Sequence, residues 1–402
     1  MAKTDESIIY LDHNATTPLV PNVLDRMHKV YAKDYGNPSS PHQLGRRARD
    51  LLEDARERLA ALLDTEPREL IFTSGGSEGN NAVLRQLLFQ KKQTHLVVSA
   101  IEHPSILETA RCLTQKKNLK LTVLPVDRGG RVSMENLKSI IRPETRLVSL
   151  MAANNETGVL QPIQEIASFC YDHGVSVHSD CVQFAGKKEL KLGQYGLDYA
   201  TLTAHKIGGP KGVGLLYVRG GADLHPLISG GGQERRWRAG TESIALACGY
   251  AEAMKWFVEH RQSLEKNWQV CTGFFLQQLN ELDQFFLFAE PEDSLPNTLN
   301  LGFRGLNTES LLISLDLEGF AVSSGSACSS GAMEASHVLL AMGYSHEEAK
   351  SSLRVSMGWN TTIKDMEKFS ARLFYHVRRL AKHPKRTDNS ARIPAGEAVV
   401  GD

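Results

Sequence analysis

Short apolar runs alternate with helix-like patterns between about residues 69 and 218. The runs are rich in Val, Leu and Thr, and several of them lead into Gly, Asn, Asp or His. Strands that alternate with helices predict an α/β fold with a mostly parallel sheet flanked by helices. The predicted strands are Glu69–Thr73, Leu96–Ala100, Leu121–Pro125, Leu147–Met151, Val175–Asp180, Tyr199–Ala204 and Val213–Val218.

The segments outside this block have a different organisation. Ahead of it, apolar residues at three- and four-residue spacing predict a helix between Arg46 and Leu63. After the glycine-rich loop Gly220–Gly232, a long helical pattern begins near residue 246, and we expect it to lead into a second, smaller α+β domain. The elements predicted there are the strands Leu299–Phe303 and Leu353–Met357, a helix over Thr308–Leu317, and a helix from the capping-box pattern Thr362/Asp365 to about Leu380.

Composition narrows the class of protein. Lys plus Arg and Asp plus Glu both number 46, so no global basic field attracts nucleic acid, and we expect no nucleic-acid partner. The N-terminus has acidic residues and does not resemble a secretory signal, and no apolar stretch approaches the roughly 18 residues that cross a membrane. The six cysteines are sparse and form no C-x-x-C pair, which predicts free thiols, no metal site and a cytoplasmic location.

Four polar features lie at or just after the ends of predicted strands. They are the glycine-rich stretch Ser74–Asn81, His103, Asp180 and Lys206. The small residues of Ser74–Asn81 come before a helix and suit the binding of a phosphate. A carboxylate such as Asp180 can keep a pyridinium nitrogen protonated, and a lysine such as Lys206 can form a Schiff base if its pKa is lowered. Singly, each has a commoner explanation: a βα turn, a turn histidine, a helix N-cap and a surface charge. Together, at the ends of strands of one sheet, they predict a cofactor site.

Three further features lie nearer the C-terminus. Cys328 is surrounded by small residues, which is typical of a loop that presents a reactive thiolate. The run Gly230–Thr241 holds three arginines, a Trp and a Thr among glycines, which suits contact with an anion or, less readily, with nucleic acid. Arg354 is a charge within an apolar strand and needs a partner, either a substrate carboxylate or an ordinary Asp or Glu.

Taken together, the sequence features resemble those of a known family. The segments Tyr10–Pro18 (YLDHNATTP), Tyr35–Ser40 (YGNPSS) and Arg354–Gly358 (RVSMG), with the features above, resemble the NifS/IscS-type cysteine desulfurases. These belong to the class V aminotransferase family, among the fold type I pyridoxal phosphate enzymes. The resemblance implies a large cofactor-binding domain and a smaller α+β domain. We expect the large domain at residues 16–255, the small domain at residues 1–15 and 256–384, and a mobile tail at residues 385–402.

The resemblance also implies roles for individual residues. Lys206 would form the Schiff base with pyridoxal 5'-phosphate, His103 would stack on its ring and move protons, and Cys328 would accept sulfur. Substrate carboxylate binding would fall to Asn155 and Arg354. The expected cofactor-binding residues are Gly76, Ser77, Asn155, Asp180, Gln183, Thr203, His205, Lys206 and, reaching into a neighbouring subunit, Thr241.

These roles imply an activity and partners. The protein would convert L-cysteine to L-alanine and leave a persulfide on Cys328, for delivery to an acceptor such as an iron–sulfur scaffold or a tRNA-thiolation protein. The role of Thr241 implies a homodimer with shared active sites. Two alternatives remain open: a selenocysteine lyase on the same fold, which Asn154–Gly158 also resembles, and a non-catalytic scaffold protein.

Overall fold

The computed structural model describes residues 8–116, 118–282, 285–306, 308–324 and 334–381. Its strands are β1 Ile9–Tyr10, β2 Leu70–Thr73, β3 Thr94–Ser99, β4 Leu119–Leu124, β5 Thr145–Ser149, β6 Ser176–Asp180, β7 Tyr199–Thr203, β8 Gly214–Val218, β9 Phe285–Leu287, β10 Thr298–Phe303, β11 Phe320–Ala321 and β12 Ser352–Ser356. Its helices are α1 Val23–Lys33, α2 Gln43–Leu63, α3 Gly76–Leu84, α4 Pro104–Thr114, α5 Met134–Ile140, α6 Ile163–Asp172, α7 Leu192–Tyr195, α8 Ile244–Leu279, α9 Thr308–Leu317, α10 His337–Ala341, α11 His346–Lys350 and α12 Ile363–Ala381.

A seven-stranded sheet forms the centre of the fold, in the order β2-β8-β7-β6-β5-β3-β4. The strands β4, β3, β5, β6 and β7 pair in parallel, whereas β8 is antiparallel to both of its neighbours. Most of these strands are buried along their whole length, because helices cover both faces, and this explains their continuous apolar runs. The predicted α/β class with a mostly parallel sheet is confirmed.

Helix packing against the sheet follows the apolar spacing of the sequence. On α2, the residues Leu52, Ala55 and Leu59 share one face and are at most 3% exposed. That face packs against α8, a helix of 36 residues that contains the buried Phe257 and Trp268. Burying a side chain such as Leu59 contributes about 1.5–3 kcal/mol, so this apolar face holds α2 against α8.

Two small sheets lie beyond the central one. β12 and β9 flank β10 in antiparallel pairs, and the N-terminal strand β1 pairs in parallel with β11. The isolated bridge between Asp12 and Ser356 then brings the start of the chain against β12. This return of the N-terminal segment to the C-terminal part of the fold places residues 12–17 beside the end of β7, where His205 accepts a hydrogen bond from Thr17.

The sequence predicted most elements within a few residues. Helix α9 has the predicted bounds, and Thr362 and Asp365 form the predicted cap of α12, with Asp365 accepting from the Thr362 N–H at 2.9 Å. The strands β1, β9 and β11 were not predicted, because two or three residues are too few to show a period. The division into two domains remains a prediction, and its boundary at residue 255 lies within α8. Among the described helices, none combines the length and apolar character needed to span a membrane.

Candidate active site

The carboxyl ends of the central strands meet at one edge of the sheet. All strands except β8 run in the same direction, so the residues that follow them converge there. Gly76 comes shortly after β2, His103 after β3, and Asn155 after β5, while Asp180 ends β6 and Lys206 follows β7. The predicted convergence of these side chains is therefore present in the structure.

A cavity of about 370 Å³ opens at this edge, within the range of volumes that hold small-molecule ligands. Its lining includes these residues predicted for the site: Gly76, Ser77, His103, Asn155, Asp180, Gln183, Thr203, His205, Lys206 and Arg354. Thr241 instead lines a separate cavity of about 130 Å³ beside Arg238 and Glu242. Cys328 lies outside the described residues, so its position relative to the cavity stays a prediction.

One end of the cavity is formed by the first turn of α3. Its N-cap, Gly75, provides no side-chain cap, and the first two residues of the helix, Gly76 and Ser77, line the cavity. Glycine is needed in this turn, because a Cβ at Gly76 would lie 3.0 Å from Val182 Cγ2 and one at Gly79 would lie 2.9 Å from Thr201 Cγ2. The close approach of α3 to the sheet thus depends on its glycines, and its N-terminus is suited to an anion.

Asp180 is held firmly at the floor of the cavity. Its Oδ2 accepts from Asn80 Nδ2 at 2.7 Å, and its Oδ1 accepts from the Val182 N–H at 3.0 Å. The side chain is 6% exposed, and no helix begins after it, because residues 181–188 form turns. The helix N-cap interpretation of Asp180 is therefore wrong, and the carboxylate has a fixed orientation at the edge of a buried site.

His103 lies across the cavity at the start of α4. Its Nδ1 accepts from the Ser105 N–H at 3.1 Å, so it caps the helix as its commoner interpretation requires, and it also lines the cavity. Burial lowers the pKa of His103 below its ordinary value, with Asp180 opposing that shift and Lys206 adding to it. A neutral imidazole at this position is able to accept and return a proton near neutral pH.

Lys206 presents its amine to the same cavity. Nζ donates to the main-chain oxygens of Asn14 at 2.6 Å and Ala15 at 2.7 Å. Burial, followed by the nearby positive charge of Arg354, lowers the pKa of Lys206 to about 8, whereas Asp12 and Asp180 oppose the shift. An amine with this pKa is deprotonated to a useful degree near neutral pH and is then a nucleophile.

Arg354 has the acidic partner that the sequence left open, and one of its nitrogens is left without a partner. Nη2 donates to Asp12 Oδ1 at 2.6 Å, and Nη1 donates to the main-chain oxygen of Asn155 at 3.0 Å. Its Nε is buried and has no hydrogen-bond partner among the described residues, although Arg354 lines the cavity. A ligand carboxylate at this end would supply the missing acceptor.

Two of the predicted cofactor-binding residues also make contacts within the chain. The hydroxyl of Thr203 donates to the Val213 carbonyl at 3.1 Å, and His205 Nδ1 lies 3.2 Å from Thr16 Oγ1. Both side chains still line the cavity. Their roles stay predictions, as do those of the other site residues.

The arginine run near Thr241 is used within the chain. Arg238 pairs with Glu78 at 2.9 Å, and Arg235 donates to the Leu70 carbonyl at 2.6 Å. These contacts join the run to the strand and helix at the phosphate end of the cavity. The contacts within the chain therefore account for Arg235 and Arg238, two of the basic residues whose pattern also suited contact with nucleic acid.

Several residues of the site were missed by the sequence reasoning. Asn14, Asn80 and Ser105 line the cavity, and Lys187 lies behind Gln183 and Asn14. Asn14 comes from the N-terminal segment, and only the motif Tyr10–Pro18 hinted that this segment has a role. Lys187 contacts Asn14 and Asn80 contacts Asp180, and both partners are distant in sequence, so no local pattern identified these contacts.

Comparison with known proteins identifies the family. Residues 9–369 match the family described as Aminotransferase class-V. The chain belongs to the class-V aminotransferase family. A relative from Dictyoglomus turgidum named Cysteine desulfurase IscS is 40% identical over 361 residues, which cover 89% of this chain and 91% of that protein.

Two solved structures have the same fold as this chain. A NifS-like protein superposes with a TM-score of 0.88 at 35% identity and covers 93% of this chain and all (100%) of its own. A second, described as SspA in complex with cysteine, has a TM-score of 0.76 at 32% identity and covers 87% of this chain and 98% of its own. Together these likenesses span both the central sheet and the C-terminal elements.

Class-V aminotransferases use pyridoxal 5'-phosphate, and the residues present here fit that cofactor. The α3 N-terminus suits its phosphate, Asp180 suits the pyridinium nitrogen, and Lys206 offers an amine for its aldehyde. The buried Asn80 Oδ1 and Arg354 Nε have no partner among the described residues, as expected at a ligand site. The cavity therefore has the donor set that the cofactor and an amino-acid carboxylate require.

Proposed function

We propose that this protein is a pyridoxal phosphate-dependent cysteine desulfurase, which converts L-cysteine to L-alanine and transfers the sulfur to Cys328. The observation that supports this most directly is one cavity lined by a lysine amine, a fixed carboxylate, a histidine and an arginine. The relatives named cysteine desulfurase, which match nine-tenths of the chain, support the choice of substrate.

The chain's own residues would divide the work as follows. Lys206 holds the cofactor through its amine, Asp180 keeps the ring nitrogen protonated, and Arg354 binds the substrate carboxylate. Bound pyridoxal phosphate supplies an electron sink that stabilises negative charge at the substrate α-carbon. His103 faces the same space and, being neutral near pH 7, carries protons to and from the reacting atoms.

Cys328 completes the reaction. Its thiolate forms a bond to the substrate sulfur while the carbon–sulfur bond of the substrate breaks. The electron pair left on carbon is protonated, alanine departs, and the second sulfur stays on Cys328 as a persulfide. The balance needs no external oxidant, because the thiolate is consumed and one carbon–sulfur bond is exchanged for one sulfur–sulfur bond.

We also propose a homodimer in which Thr241 contributes to the partner's phosphate site. Thr241 is exposed and lies outside the 370 Å³ cavity of its own chain, which is consistent with a role in a second copy. The exposed apolar side chains Leu24, Tyr31 and Tyr35, which are 59–72% accessible on and just after α1, provide surface for such an association. The sulfur acceptor is proposed to be another protein, an iron–sulfur scaffold or a tRNA-thiolation protein.

A cytoplasmic location is part of the proposal. The described cysteines are all free, and four of them (Cys170, Cys181, Cys248 and Cys271) are buried. Burial raises the pKa of both Cys170 and Cys181 to about 12, so these thiols are inert packing residues. Free thiols in this number are typical of proteins in a reducing compartment.

The proposed function is tested by product analysis with two substrates. Cofactor-loaded protein is incubated with L-cysteine or with L-selenocysteine in the presence of a thiol reductant, and alanine, sulfide and selenide are measured. A cysteine desulfurase releases alanine and sulfide in equal amounts from L-cysteine. Selenide release with no turnover of L-cysteine would instead establish a selenocysteine lyase, and no turnover of either substrate would leave a scaffold protein.

The pKa of Lys206 predicts how cofactor uptake depends on pH. The rate at which the cofactor-free protein reacts with pyridoxal phosphate should rise with pH, because only the unprotonated amine attacks the aldehyde. The rise should have its midpoint near pH 8, and the rate should level off above it. Since the charge of Arg354 lowers this pKa, the variant Arg354→Gln should move the midpoint upward. A stopped-flow absorbance series over pH measures both, and a native midpoint near the ordinary lysine value of 10.5 would contradict the prediction.

A further inference from the structure

Lys187 is a buried lysine that the proposed reaction does not use. It lies in the turn after β6 and is 2% exposed. Among the described residues no Asp or Glu forms an ion pair with it, and burial together with the charges of Lys206 and Arg354 holds its pKa well below the ordinary value. Burying an amine without an ionic partner is costly, so its N–H groups are expected to serve the structure around them.

The contacts of Lys187 involve two amide side chains of the cavity. Nζ donates to Gln183 Oε1 at 2.6 Å and to Asn14 Oδ1 at 3.0 Å. Two N–H donors meeting two amide oxygens fix which way each amide is turned, because the amide nitrogens are donors themselves and cannot face the lysine hydrogens. The oxygen of Gln183 is therefore held on the side away from the cavity.

The nitrogen of Gln183 is turned the other way. Nε2 donates one hydrogen to the main-chain oxygen of Asn14 at 2.9 Å, and its second hydrogen remains for the cavity that Gln183 lines. The same Asn14 oxygen accepts from Lys206 Nζ at 2.6 Å. The main-chain carbonyl of Asn14 thus accepts hydrogen bonds from both Gln183 and Lys206. Lys187 in turn binds the side chain of Asn14.

Asn14 is fixed from its other side as well. Its Nδ2 donates to Thr298 Oγ1 at 2.9 Å and to the Asn155 main-chain oxygen at 3.2 Å. Since the Asn14 nitrogen donates to these two groups, its Oδ1 is left to accept from Lys187, and both halves of the amide have suitable partners. Lys187 is therefore the buried donor that the two amide oxygens of Gln183 and Asn14 share.

We propose that Lys187 is a positioning residue, which orients the amides of Gln183 and Asn14 so that Gln183 presents an N–H donor to the cofactor ring. The inference rests on the proposed function, because the acceptor is an oxygen of bound pyridoxal phosphate. Lys187 itself does not line the cavity and acts only through these two neighbours. Its loss frees the Gln183 amide to rotate and to present its oxygen in place of its nitrogen.

A double-mutant cycle on cofactor binding tests this inference. Lys187→Met removes the donor at similar side-chain length, and Gln183→Leu removes the amide it orients. The dissociation constant for pyridoxal phosphate is measured by absorbance on the cofactor-free protein, with the absorption maximum of the loaded protein as a second readout. Each single variant should weaken binding about five- to tenfold and shift the maximum, as expected for one lost hydrogen bond.

The two changes together should weaken binding no more than Gln183→Leu alone, because Lys187 acts through Gln183. Lys187→Gln, which keeps an N–H donor, should restore binding and spectrum toward native values, an effect that a purely structural role would not produce. If Lys187→Met does not fold, Lys187→Ala takes its place in the cycle, and Lys187→Gln remains the variant that keeps the donor. Additive effects, or a native spectrum and affinity in Lys187→Met, would overturn the inference.

The native protein separates this inference from the proposed function. If native protein binds the cofactor and forms alanine while the cycle is additive, only the role of Lys187 is wrong. If native protein binds no pyridoxal phosphate, the proposed function and this inference both fail.

Discussion

Lys206→Ala should reduce alanine formation from L-cysteine on the order of 10²–10⁴-fold or more while leaving the protein folded. The variant removes the amine that holds the cofactor and whose pKa of about 8 suits proton transfer near neutral pH. The only described hydrogen bonds of the Lys206 amine are to the main-chain oxygens of Asn14 and Ala15, so its removal should destabilise the fold little. The measurements are alanine release at saturating L-cysteine and circular dichroism.

A neighbouring lysine provides the control for Lys206→Ala. Lys188 is partly exposed, pairs with Glu265 and does not line the 370 Å³ cavity, so Lys188→Ala should keep nearly native turnover. Borohydride reduction should fix the cofactor covalently to native protein and to Lys188→Ala but not to Lys206→Ala. Covalent fixation in Lys206→Ala, or turnover within a few fold of native, would show that another amine holds the cofactor.

Arg56→Ala should lower the free energy of unfolding by about 3–5 kcal/mol, the usual cost of removing one partner of a buried ion pair. Both side chains of the Arg56–Glu234 pair are at most 2% exposed, and the guanidinium donates to both carboxylate oxygens at 2.7 and 2.8 Å. The Phe72 N–H also donates to Glu234, at 2.9 Å. Without Arg56, the carboxylate stays buried with too few donors.

The same pair supports an unusual stretch of backbone. Glu234, Arg235 and Arg236 have φ values of 44°, 55° and 69°, in the left-handed region that side chains other than Gly disfavour. Since Glu234 begins this stretch and Thr241 follows it, the ion pair also anchors the loop proposed to reach the partner subunit. The loss of stability should therefore be accompanied by earlier protease cleavage in the segment 230–241.

Arg58 is the matched control, because it lies two residues further along the same helix. Its side chain and that of its partner Glu252 are 29% and 25% exposed, and the pair is 3.0 Å apart. Arg58→Ala should cost only about 0.2–1 kcal/mol, since water screens an accessible pair. Urea denaturation of both variants makes the comparison, and equal losses would contradict the role assigned to the buried pair.

The fold could be predicted from the sequence where elements are long enough to show a period. The buried strands β3, β6 and β7 were found as apolar runs, and α9 was found with its bounds. The strands β9 and β11 have three and two residues, too few to show a period, and β11 forms by pairing with the distant strand β1. Their existence depends on the tertiary fold.

The site was predictable for a different reason. Parallel strands bring their carboxyl ends to one edge, so Asp180 and Lys206 could be placed together from topology alone. The partners that fix them could not, because Asn80 lies 100 residues from Asp180 and Asn14 lies 192 residues from Lys206. The sequence did not single out Lys187, and its burial and its contacts with Gln183 and Asn14 show that it belongs to the site.

The central claim is that sulfur leaves L-cysteine by transfer to Cys328. The most direct test is a single turnover of cofactor-loaded protein with L-cysteine and no reductant, followed by mass spectrometry, in native protein and in Cys328→Ser. Native protein should gain one sulfur atom on the peptide that contains Cys328 and release one equivalent of alanine, whereas Cys328→Ser should bind the cofactor but gain no sulfur. Equal alanine release by Cys328→Ser, or sulfur on another cysteine, would contradict the account.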